Sequence, residues 1–572
     1  MPPGPTAAEI TVPETLELLD GPLRDVASAI ARDQYAFWLG SGISLGRVEG
    51  LRKLIPRVLE HLQRLVQPGD LTCRFRAALS EIMQLAALTP AEQGATDVER
   101  PINDWPTLST LVDRLVNNYA RFLDLEVQGE EADYLLWVGV NVPDTYANPV
   151  TEPDSEHLCL AILILEGVAS DMPSANWDGL IERAMDVLTQ NISPLVVCVL
   201  PEDLRLPAQQ ATLYKFHGCA VKAGQDETAY RSKLVARQSQ INGWVNQPDN
   251  RPILNRLVDI ATTKRTLMLG LSAQDGNIQN IFAAAGAAMP WGWPSNPPAY
   301  VFCENQLGFD QRILLQIVYR AAYTASTRDA IYANALIRAY AKPSLAALVL
   351  HVMFSKLEGL AGLAPGVLPP NERAVLIAAL KHVRTLIAAA ADPNAATTIL
   401  LAIGHYARFM ALFHEGTFEP AALRHRPISA RPIQNLATDP NVPTSAMCEF
   451  AVAVGLLGQG LQEGSWSIEL VDPASSTEGA FRVISGTRGT KLFVVANTTS
   501  ETRLILNGHI SDGDDAIVIH GSDIAPLMAR SPHPRRSRTG MPGIREVSIA
   551  SLLAEATTGT ALMQRFREEL SI

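Results

Sequence analysis

The sequence predicts an α/β protein: a doubly wound parallel sheet with a helical insertion, then an all-helical region, then a small α+β domain. Short apolar runs alternate with helical patterns up to about residue 310. Residues 311–415 are Ala/Leu-rich with a helical pattern, and short alternating segments return after residue 445. Strands that alternate with helices are typical of a parallel sheet covered by helices on both faces.

Composition indicates a globular protein of several domains. The 572 residues are 47% hydrophobic and 19% charged, with a formal net charge of −12, and the mean hydropathy is +0.08. A chain of this length is expected to bury a large core and to divide into roughly three or four domains. The negative charge argues against broad, non-specific nucleic-acid binding, although it leaves a local basic site open. The most apolar segments look too short to span a membrane.

Cysteine usage and the first residues point to a reducing compartment. Six cysteines are scattered along the chain, and no two of them form a CxxC pair. This spacing predicts neither a four-cysteine zinc site nor a disulfide framework. Met1–Glu9 has no basic region followed by an apolar one, so we expect no secretory signal. We therefore expect a cytoplasmic protein that needs no metal.

The N-terminal part is expected to hold the sheet. Leu51–Gln63 is amphipathic and helical despite Pro56, and the helical pattern of residues 76–131 is interpreted as an insertion. Leu160–Gly167 is a further apolar run. Leu195–Leu200 is rich in β-branched residues and is bounded by prolines, as in a buried parallel strand. The predicted strands are Tyr35–Leu39, Leu195–Leu200, Ala211–Phe216, Thr266–Leu269 and Ala299–Cys303.

The C-terminal part changes character twice. The helical region is interrupted at residues 362–370 and 392–393, and residues 418–443 contain several prolines and few periodic apolar positions, which favours a linker. A helix is predicted after Ser445 and another over Ser548–Leu570. Between them lie short predicted strands: Trp466–Val471, Phe481–Ile484, Lys491–Val495, Arg503–Leu506 and Ala516–His520.

The first candidate motif follows the first strand. Gly40–Ser44 reads GSGIS. Glycines at this place let the backbone approach a pyrophosphate, a following helix N-terminus favours its charge, and Ser44 adds a hydroxyl. The full G-x-G-x-x-G spacing is absent because position 45 is Leu. Taken alone, the segment is also explained by a plain turn.

Two further motifs contain an amide, a carboxylate and an imidazole. Asn176 and Asp178 lie just before a predicted helix, where they can orient a sugar hydroxyl and a water, or form an Asx turn that caps the helix. His217 follows an apolar strand and precedes a glycine, where α/β sheets place ligand-facing groups. Histidine suits a general base near neutral pH, and a satisfied core or loop histidine is the alternative.

The fourth motif follows another strand. Residues 270–278 read GLSAQDGNI, a turn of small residues followed by a polar cap and a helix. Asp275 is in the position of an N-cap residue. Each of the four motifs has a purely structural explanation, so their order along the chain carries the functional argument.

In that order, GSGIS, ANWDGLIE at 175–182, KFHG at 215–218 and GLSAQDGNI resemble the motifs of the sirtuin-like (silent information regulator 2) family, particularly its bacterial antiphage-defence members. The resemblance covers roughly residues 25–305. Trp177 and Ala175 stand where the family has Tyr and Thr, and Arg52 stands where it usually has Pro. No four-cysteine ribbon lies between His217 and Gly270, so peptide-lysine deacetylation is not expected.

The resemblance implies a Rossmann-type domain that uses NAD⁺, with catalytic roles for three residues. Asn176 and Asp178 would hold the nicotinamide ribose and a water, and His217 would be the base. Eight residues are implied to bind the dinucleotide, the first four at its phosphates: Gly40, Ser41, Gly42, Ser44, Gly270, Ser272, Asp275 and Asn277. Within that set, Gly270 and Ser272 would contact the adenosine side, and Asp275 and Asn277 would support their loop.

The implied reaction is cleavage of the nicotinamide–ribose bond. Such a cleavage passes through an oxocarbenium-like state, and water is the default acceptor, which gives ADP-ribose and nicotinamide. The resemblance to the defence-type members implies an antiphage role, in which NAD⁺ depletion arrests an infected cell. Two alternatives stay open: a module that binds NAD or ADP-ribose without turnover, and an ADP-ribosyltransferase.

The resemblance also divides the chain and suggests partners. Residues 1–310 would form the sirtuin-like domain, 311–417 the helical region, 418–444 the linker, and 445–572 a sensing or partner-binding domain. Family members are activated by a short Argonaute, an ATPase, a nucleotide-binding protein or self-assembly. We therefore expect an oligomer or a hetero-complex, and the sequence does not select among these activators.

Other clusters favour structural interpretations. Gly486–Lys491 lacks phosphate-loop spacing and predicts a hairpin turn, and Asp512–Asp515 lacks calcium-loop spacing. Cys219 is expected to be a buried thiol. A basic cluster among prolines is interpreted as a solvated loop: Arg530, His533, Arg535, Arg536 and Arg538.

Overall fold

The computed structural model describes most of the chain, in these ranges: residues 5–190, 194–207, 210–289, 291–392, 394, 396–419, 423–475, 477–511, 514–521 and 544–572. The predicted fold class is confirmed: a parallel α/β sheet is followed by long helices and a smaller second sheet. The basic cluster at 530–538 and the first two residues of Asp512–Asp515 lie outside the described residues.

The first sheet has seven strands, all paired in parallel. In chain order they are β1 (Tyr35–Leu39), β2 (Asp171–Ser174), β3 (Leu195–Cys198), β4 (Ala211–Lys215), β5 (Arg265–Leu269), β6 (Tyr300–Cys303) and β7 (Leu336–Ile337). Their order across the sheet is β3-β4-β2-β1-β5-β6-β7. The order reverses at β1, which lies between β2 and β5, and such a reversal opens a crevice at the carboxyl ends of the strands.

Helices precede and interrupt this sheet before β2. They are α1 (Val12–Asp20), α2 (Arg24–Ala31), α3 (Leu51–Arg64), α4 (Arg74–Leu85), α5 (Pro90–Gly94), α6 (Leu108–Val116), α7 (Tyr119–Phe122), α8 (Val142–Tyr146) and α9 (Ser155–Leu165). Helices α3 to α8 form the insertion, which has its own apolar core around Val58, Leu79 and Leu111. Helix α9 is buried along its whole length.

The remaining helices of the first sheet alternate with its strands: α10 (Leu180–Thr189), α11 (Ala220–Gln225), α12 (Glu227–Tyr230), α13 (Gln238–Gly243), α14 (Arg251–Thr263), α15 (Gly276–Ala288), α16 (Phe309–Tyr319) and α17 (Arg328–Asn334). Helices on both faces explain why every residue of β1 is buried.

Four longer helices follow: α18 (Ala341–Leu363), α19 (Pro370–Ala390), α20 (Ala396–Glu415) and α21 (Met447–Gln462). Within the described ranges, α18 and α20 have the length and composition to cross a membrane, so the apolar segments are longer than expected from the sequence. However, 67% and 50% of their apolar windows are buried inside the protein. Core helices meet the same criteria, so this is weak evidence for a membrane span.

The second sheet closes the chain. Its elements are β8 (Ser467–Glu469), β9 (Phe481–Ser485), β10 (Arg488–Val495), α22 (Thr498–Leu506), β11 (Ala516–His520), β12 (Arg545–Ser548), α23 (Ile549–Glu555) and α24 (Gly559–Leu570). The strand order is β12-β11-β10-β9-β8. Strands β10, β11 and β12 are parallel, whereas β8, β9 and β10 are antiparallel. The hairpin predicted at Gly486 is confirmed, since Ser485 pairs with Arg488 across it.

Several predicted elements differ from the structure. Arg503–Leu506, expected as a strand, is the end of α22 because the Asn497 side chain caps that helix, accepting from the Ser500 N–H at 3.1 Å. Ser548–Leu570, expected as one helix, is two.

Two features of the structure lie at the predicted domain limits. Strand β7 at 336–337 pairs with β6, so the first sheet extends beyond residue 310. Residues 423–444 are packed rather than a free linker, because Ile428, Leu436 and Val442 are buried in the core of the C-terminal half.

A buried ionic cluster joins the two halves. Glu166, directly after α9, is fully buried, and the Lys356 ammonium of α18 lies 2.8 Å from its Oε2. His425 Nε2 lies 3.1 Å from Glu166 Oε1, and Lys356 also donates to the Ser429 carbonyl at 2.6 Å. Burial would raise the pKa of Glu166, but Lys356 and His425 outweigh it and lower that pKa to about 2. The carboxylate is therefore charged and held by partners from two distant segments.

Candidate functional site

The predicted motifs meet at the carboxyl edge of the first sheet. The loops after β1, β2 and β5 are neighbours because those strands are adjacent, and the loop after β4 lies one strand further along. This edge is where open α/β sheets bind ligands.

The glycine loop after β1 packs against the loop after β5. Gly40 and Gly42 donate backbone hydrogen bonds of 3.0 Å to the carbonyls of Leu269 and Gly270. A Cβ on Gly40 would lie 2.4 Å from the Gly270 oxygen, and one on Gly42 would lie 2.5 Å from the Gly270 Cα. Gly270 has φ +60°, which favours glycine. The close approach of the two backbones thus explains why glycine is needed at these three positions, whether or not the loop also contacts a phosphate as predicted.

We expect Gly42→Ala to lower the free energy of unfolding by about 1–3 kcal/mol, because backbone must move to admit the methyl group. Urea unfolding followed by circular dichroism measures the change. The control is Gly362→Ala in α18, where no atom lies within 4 Å of an added Cβ. Equal effects of the two substitutions would contradict the packing argument.

Ser44 is the centre of a hydrogen-bonded chain. Its Oγ donates to Asp178 Oδ2 at 2.9 Å and lies 3.2 Å from His157 Nε2. His157 Nδ1 accepts from the Asp154 backbone N–H at 3.1 Å, so in the neutral ring Nε2 carries the proton and donates to Ser44. Burial lowers the pKa of His157 to about 4, which agrees with a neutral ring.

Asn176 and Asp178 lie in the loop after β2, beside the glycine loop. The Asn176 Nδ2 donates to the Gly40 carbonyl at 3.1 Å, whereas its Oδ1 is buried and has no hydrogen-bond partner among the described residues. Asp178 Oδ1 accepts from the Leu180 N–H at 3.2 Å, as an Asx turn requires. The structural interpretation of Asp178 is therefore confirmed, while its second oxygen bonds Ser44.

His217 follows β4 and faces the loop after β5. Its Nε2 lies 3.3 Å from Asp275 Oδ2, without the geometry of a hydrogen bond, and the residue is 5% exposed. Burial lowers the pKa of His217 below its usual range, and the Asp275 carboxylate opposes that shift. Asp275 also caps α15 as predicted, accepting from the Asn277 N–H at 2.7 Å.

The other predicted residues divide into buried and exposed ones. Asn277 is fully buried, and neither atom of its side-chain amide has a hydrogen-bond partner in the described ranges. Ser41 and Ser272 are exposed in their loops. Side-chain contacts join the predicted residues into two groups. In one, Ser44 bonds Asp178, and in the other, His217 lies beside Asp275.

Sequence analysis missed two residues of this site. His157 is the third residue of the apolar helix α9, and it forms a capping box with the N-cap residue Asp154, a D-x-x-H pattern at the helix start. Lys215 was part of the KFHG motif but received no role. Its buried ammonium donates to the Asp178 carbonyl at 2.5 Å and pairs with Glu182, also at 2.5 Å.

The helical insertion is tied to the site through Trp177. Its indole N–H donates to the His217 carbonyl at 2.8 Å, and the Tyr146 ring of α8 contacts the indole with centroids 5.3 Å apart. Trp177 packs against the core of the insertion. The departure from the family's Tyr at this position thus has a packing role.

These features define a Rossmann-like α/β protein with its polar loops gathered at the strand-order reversal. Residues 172–320 match the family model described as a SIR2-like domain, which supports the resemblance to sirtuin-like proteins. Proteins with this domain use NAD⁺ as a substrate. No curated protein matches the sequence significantly. The match includes Asn176, Asp178 and His217. The Gly40–Ser44 loop lies outside the matched residues, but the fold places it at the same site, where the Gly40 carbonyl accepts a hydrogen bond from Asn176.

Proposed function

We propose that the protein is an NAD⁺ hydrolase that cleaves the nicotinamide–ribose bond and releases ADP-ribose and nicotinamide. The observation that carries the proposal is a pair of buried atoms at the carboxyl edge of the sheet, Asn176 Oδ1 and His217 Nε2, that have no hydrogen-bond partner among the described residues. Both residues lie within the SIR2-like match.

The polar atoms at this edge fit a dinucleotide with many hydroxyl and amide groups. Leaving a buried polar atom without a partner costs free energy, so such atoms are rare unless a ligand or water pairs with them. Asn277 adds a fully buried amide whose two polar atoms are also unpartnered among the described residues. Three separate segments, holding Asn176, His217 and Asn277, therefore offer hydrogen bonds that no described residue uses.

The chemistry assigned to the residues follows from their surroundings. His217 is largely neutral at neutral pH because burial lowers its pKa, so it can accept a proton from water. The Asp275 carboxylate, 3.3 Å from Nε2, stabilises the positive charge that the ring gains when it takes the proton. Asn176 is fixed by Gly40, which leaves its carbonyl oxygen to orient a ribose hydroxyl or the water. The water oxygen bonds to the ribose carbon, nicotinamide leaves, and the water proton passes to His217.

The test is nicotinamide release from NAD⁺ by the purified protein, alone and with lysate of phage-infected cells. We expect release and free ADP-ribose with the wild type, and none with Asn176→Ala. Asn242→Ala, an exposed position on α13, is the matched control and should keep full activity. Thermal unfolding verifies that each variant is folded.

Other outcomes would contradict hydrolysis. Radiolabel retained on a macromolecule indicates ADP-ribosyl transfer. Tight NAD⁺ binding without turnover in every condition indicates a binding module.

The proposal extends to gating and to location. Unregulated hydrolysis would exhaust cellular NAD⁺, so we expect an activating partner, such as a short Argonaute, an ATPase or a nucleotide-binding protein, or self-assembly. The cytoplasmic location is proposed from the scattered, unpaired cysteines, and the role in antiphage defence from the sequence resemblance.

We expect Asp275→Asn to move the acidic limb of the pH–rate profile to lower pH. The reaction needs neutral His217, so the rate falls as pH falls through the His217 pKa. Asp275 raises that pKa, and removing its charge lets the pKa fall further. Asparagine still caps α15, so the helix is kept. An acidic limb that stays in place or moves to higher pH would contradict the assignment of His217 as the base.

A further inference from the structure

The second sheet gathers one histidine and two glutamates on a single face. His520 is the last residue of β11, and Glu546 lies in the neighbouring strand β12. The register pairs Val518 with Glu546, so Glu546 and His520 are two positions apart and point to the same face of the sheet. Glu501 comes from the start of α22, the helix that follows β10.

The potential ligand atoms of the three residues converge. One atom from each residue lies within 4.8 Å of the other two, and Glu501 Oε1 is 3.6 Å from His520 Nε2. His520 is 0% exposed, and Glu501 is 6% exposed. Neither ring nitrogen of His520 has a hydrogen-bond partner among the described residues. A fully buried imidazole beside two carboxylates therefore lacks the hydrogen bond that burial normally requires.

The donor set indicates the class of ion. Calcium and magnesium prefer oxygen ligands alone, whereas an imidazole nitrogen with carboxylate oxygens suits Zn²⁺ and related ions. Three protein ligands leave a position for water, as in many zinc sites.

We propose that Glu501, His520 and Glu546 bind one divalent transition-metal ion of the Zn²⁺ class. Such an ion ties α22 to β11 and β12 at the carboxyl edge of the second sheet. The expectation of a metal-free protein rested on cysteine spacing, which carries no information about ligands from separate elements. The site is independent of NAD⁺ chemistry and of the proposed hydrolase activity.

The test uses the full-length protein stripped with a chelator and dialysed against Zn²⁺, with bound metal measured by mass spectrometry. Glu501→Gln keeps the size of the side chain and removes one ligand. We expect it to weaken binding by more than about tenfold, since altering even outer partners of a metal site costs that much. Glu568→Gln, an exposed position in α24, is the matched control and should bind one ion as the wild type does.

Two further readouts separate a metal ligand from a merely structural residue. Co²⁺ should give visible d–d absorption with the wild type and lose it in His520→Ala. Zn²⁺ should raise the melting temperature of the wild type more than that of Glu501→Gln. Absence of binding by the wild type would overturn the proposal and make Glu501 and His520 a buried polar pair. Equal binding by the wild type and Glu501→Gln would place the ion elsewhere and overturn it as well.

Discussion

Replacing His217 by alanine should lower NAD⁺ hydrolysis by about 10²–10⁴-fold, the contribution of a positioned general base. The reason is local: the ring is buried at the end of β4, kept neutral by burial, and lies 3.3 Å from the Asp275 carboxylate. Nicotinamide release under saturating NAD⁺ measures the loss. NAD⁺ affinity should change much less, because the base acts on the water rather than on the dinucleotide.

His382→Ala is the matched control for this loss. His382 is partly exposed on α19, a helix that follows the last strand of the first sheet in the chain. Its replacement should leave the rate unchanged. A His217→Ala protein that is folded and retains most of its turnover would remove His217 from the base role.

Replacing Lys356 by methionine should lower the free energy of unfolding by about 3–5 kcal/mol, because it leaves the Glu166 carboxylate buried without its main partner. Lys356 is 1% exposed and Glu166 is fully buried, so water cannot replace the ammonium without opening the structure. Chemical denaturation at neutral pH measures the change. Acidification should reduce the difference between wild type and variant, since the Glu166 contribution is present above about pH 4.5 and is lost as pH falls toward its pKa of about 2.

Two companion variants isolate the buried charge. Lys356→Met with Glu166→Gln removes both charges and keeps an acceptor for His425, so it should be more stable than Lys356→Met alone. Lys53→Met replaces an exposed lysine of α3 and should leave stability nearly unchanged. A double variant no more stable than the single one would mean that packing, rather than an unpaired charge, explains the loss.

The strands that the sequence predicted best are those with a continuous apolar run. Tyr35–Leu39 is buried at every position. All five of its residues are apolar or aromatic, and such a run is typical of a strand that is covered on both faces. Strand β2 was missed because Asp171–Ser174 is short and polar at both ends, and Pro173 argues against a central strand. Strand β7 has only two residues and depends on its neighbour β6.

The candidate site was likewise predicted only in part. The order of motifs predicted which loops would meet, because parallel strands present their carboxyl ends at one edge. The partner of each side chain was not predictable: Ser44 meets His157 across 113 residues, and that pairing depends on where the insertion returns the chain. Ser44 was expected at a phosphate, yet its hydroxyl is engaged with Asp178. The glycines looked like a ligand cradle, and the structure adds a backbone contact that spacing alone does not reveal.

The central position of β1 has a consequence for biosynthesis. This strand is made early, but its partner β5 ends only at Leu269. At typical translation rates of about 5–20 residues per second, the ribosome needs roughly ten to fifty seconds to supply that partner. During this interval the segment YAFWL, which is buried at every position in the finished sheet, lacks at least one of its two neighbouring strands. The strand that bears the glycine loop is therefore a natural binding point for chaperones on the nascent chain.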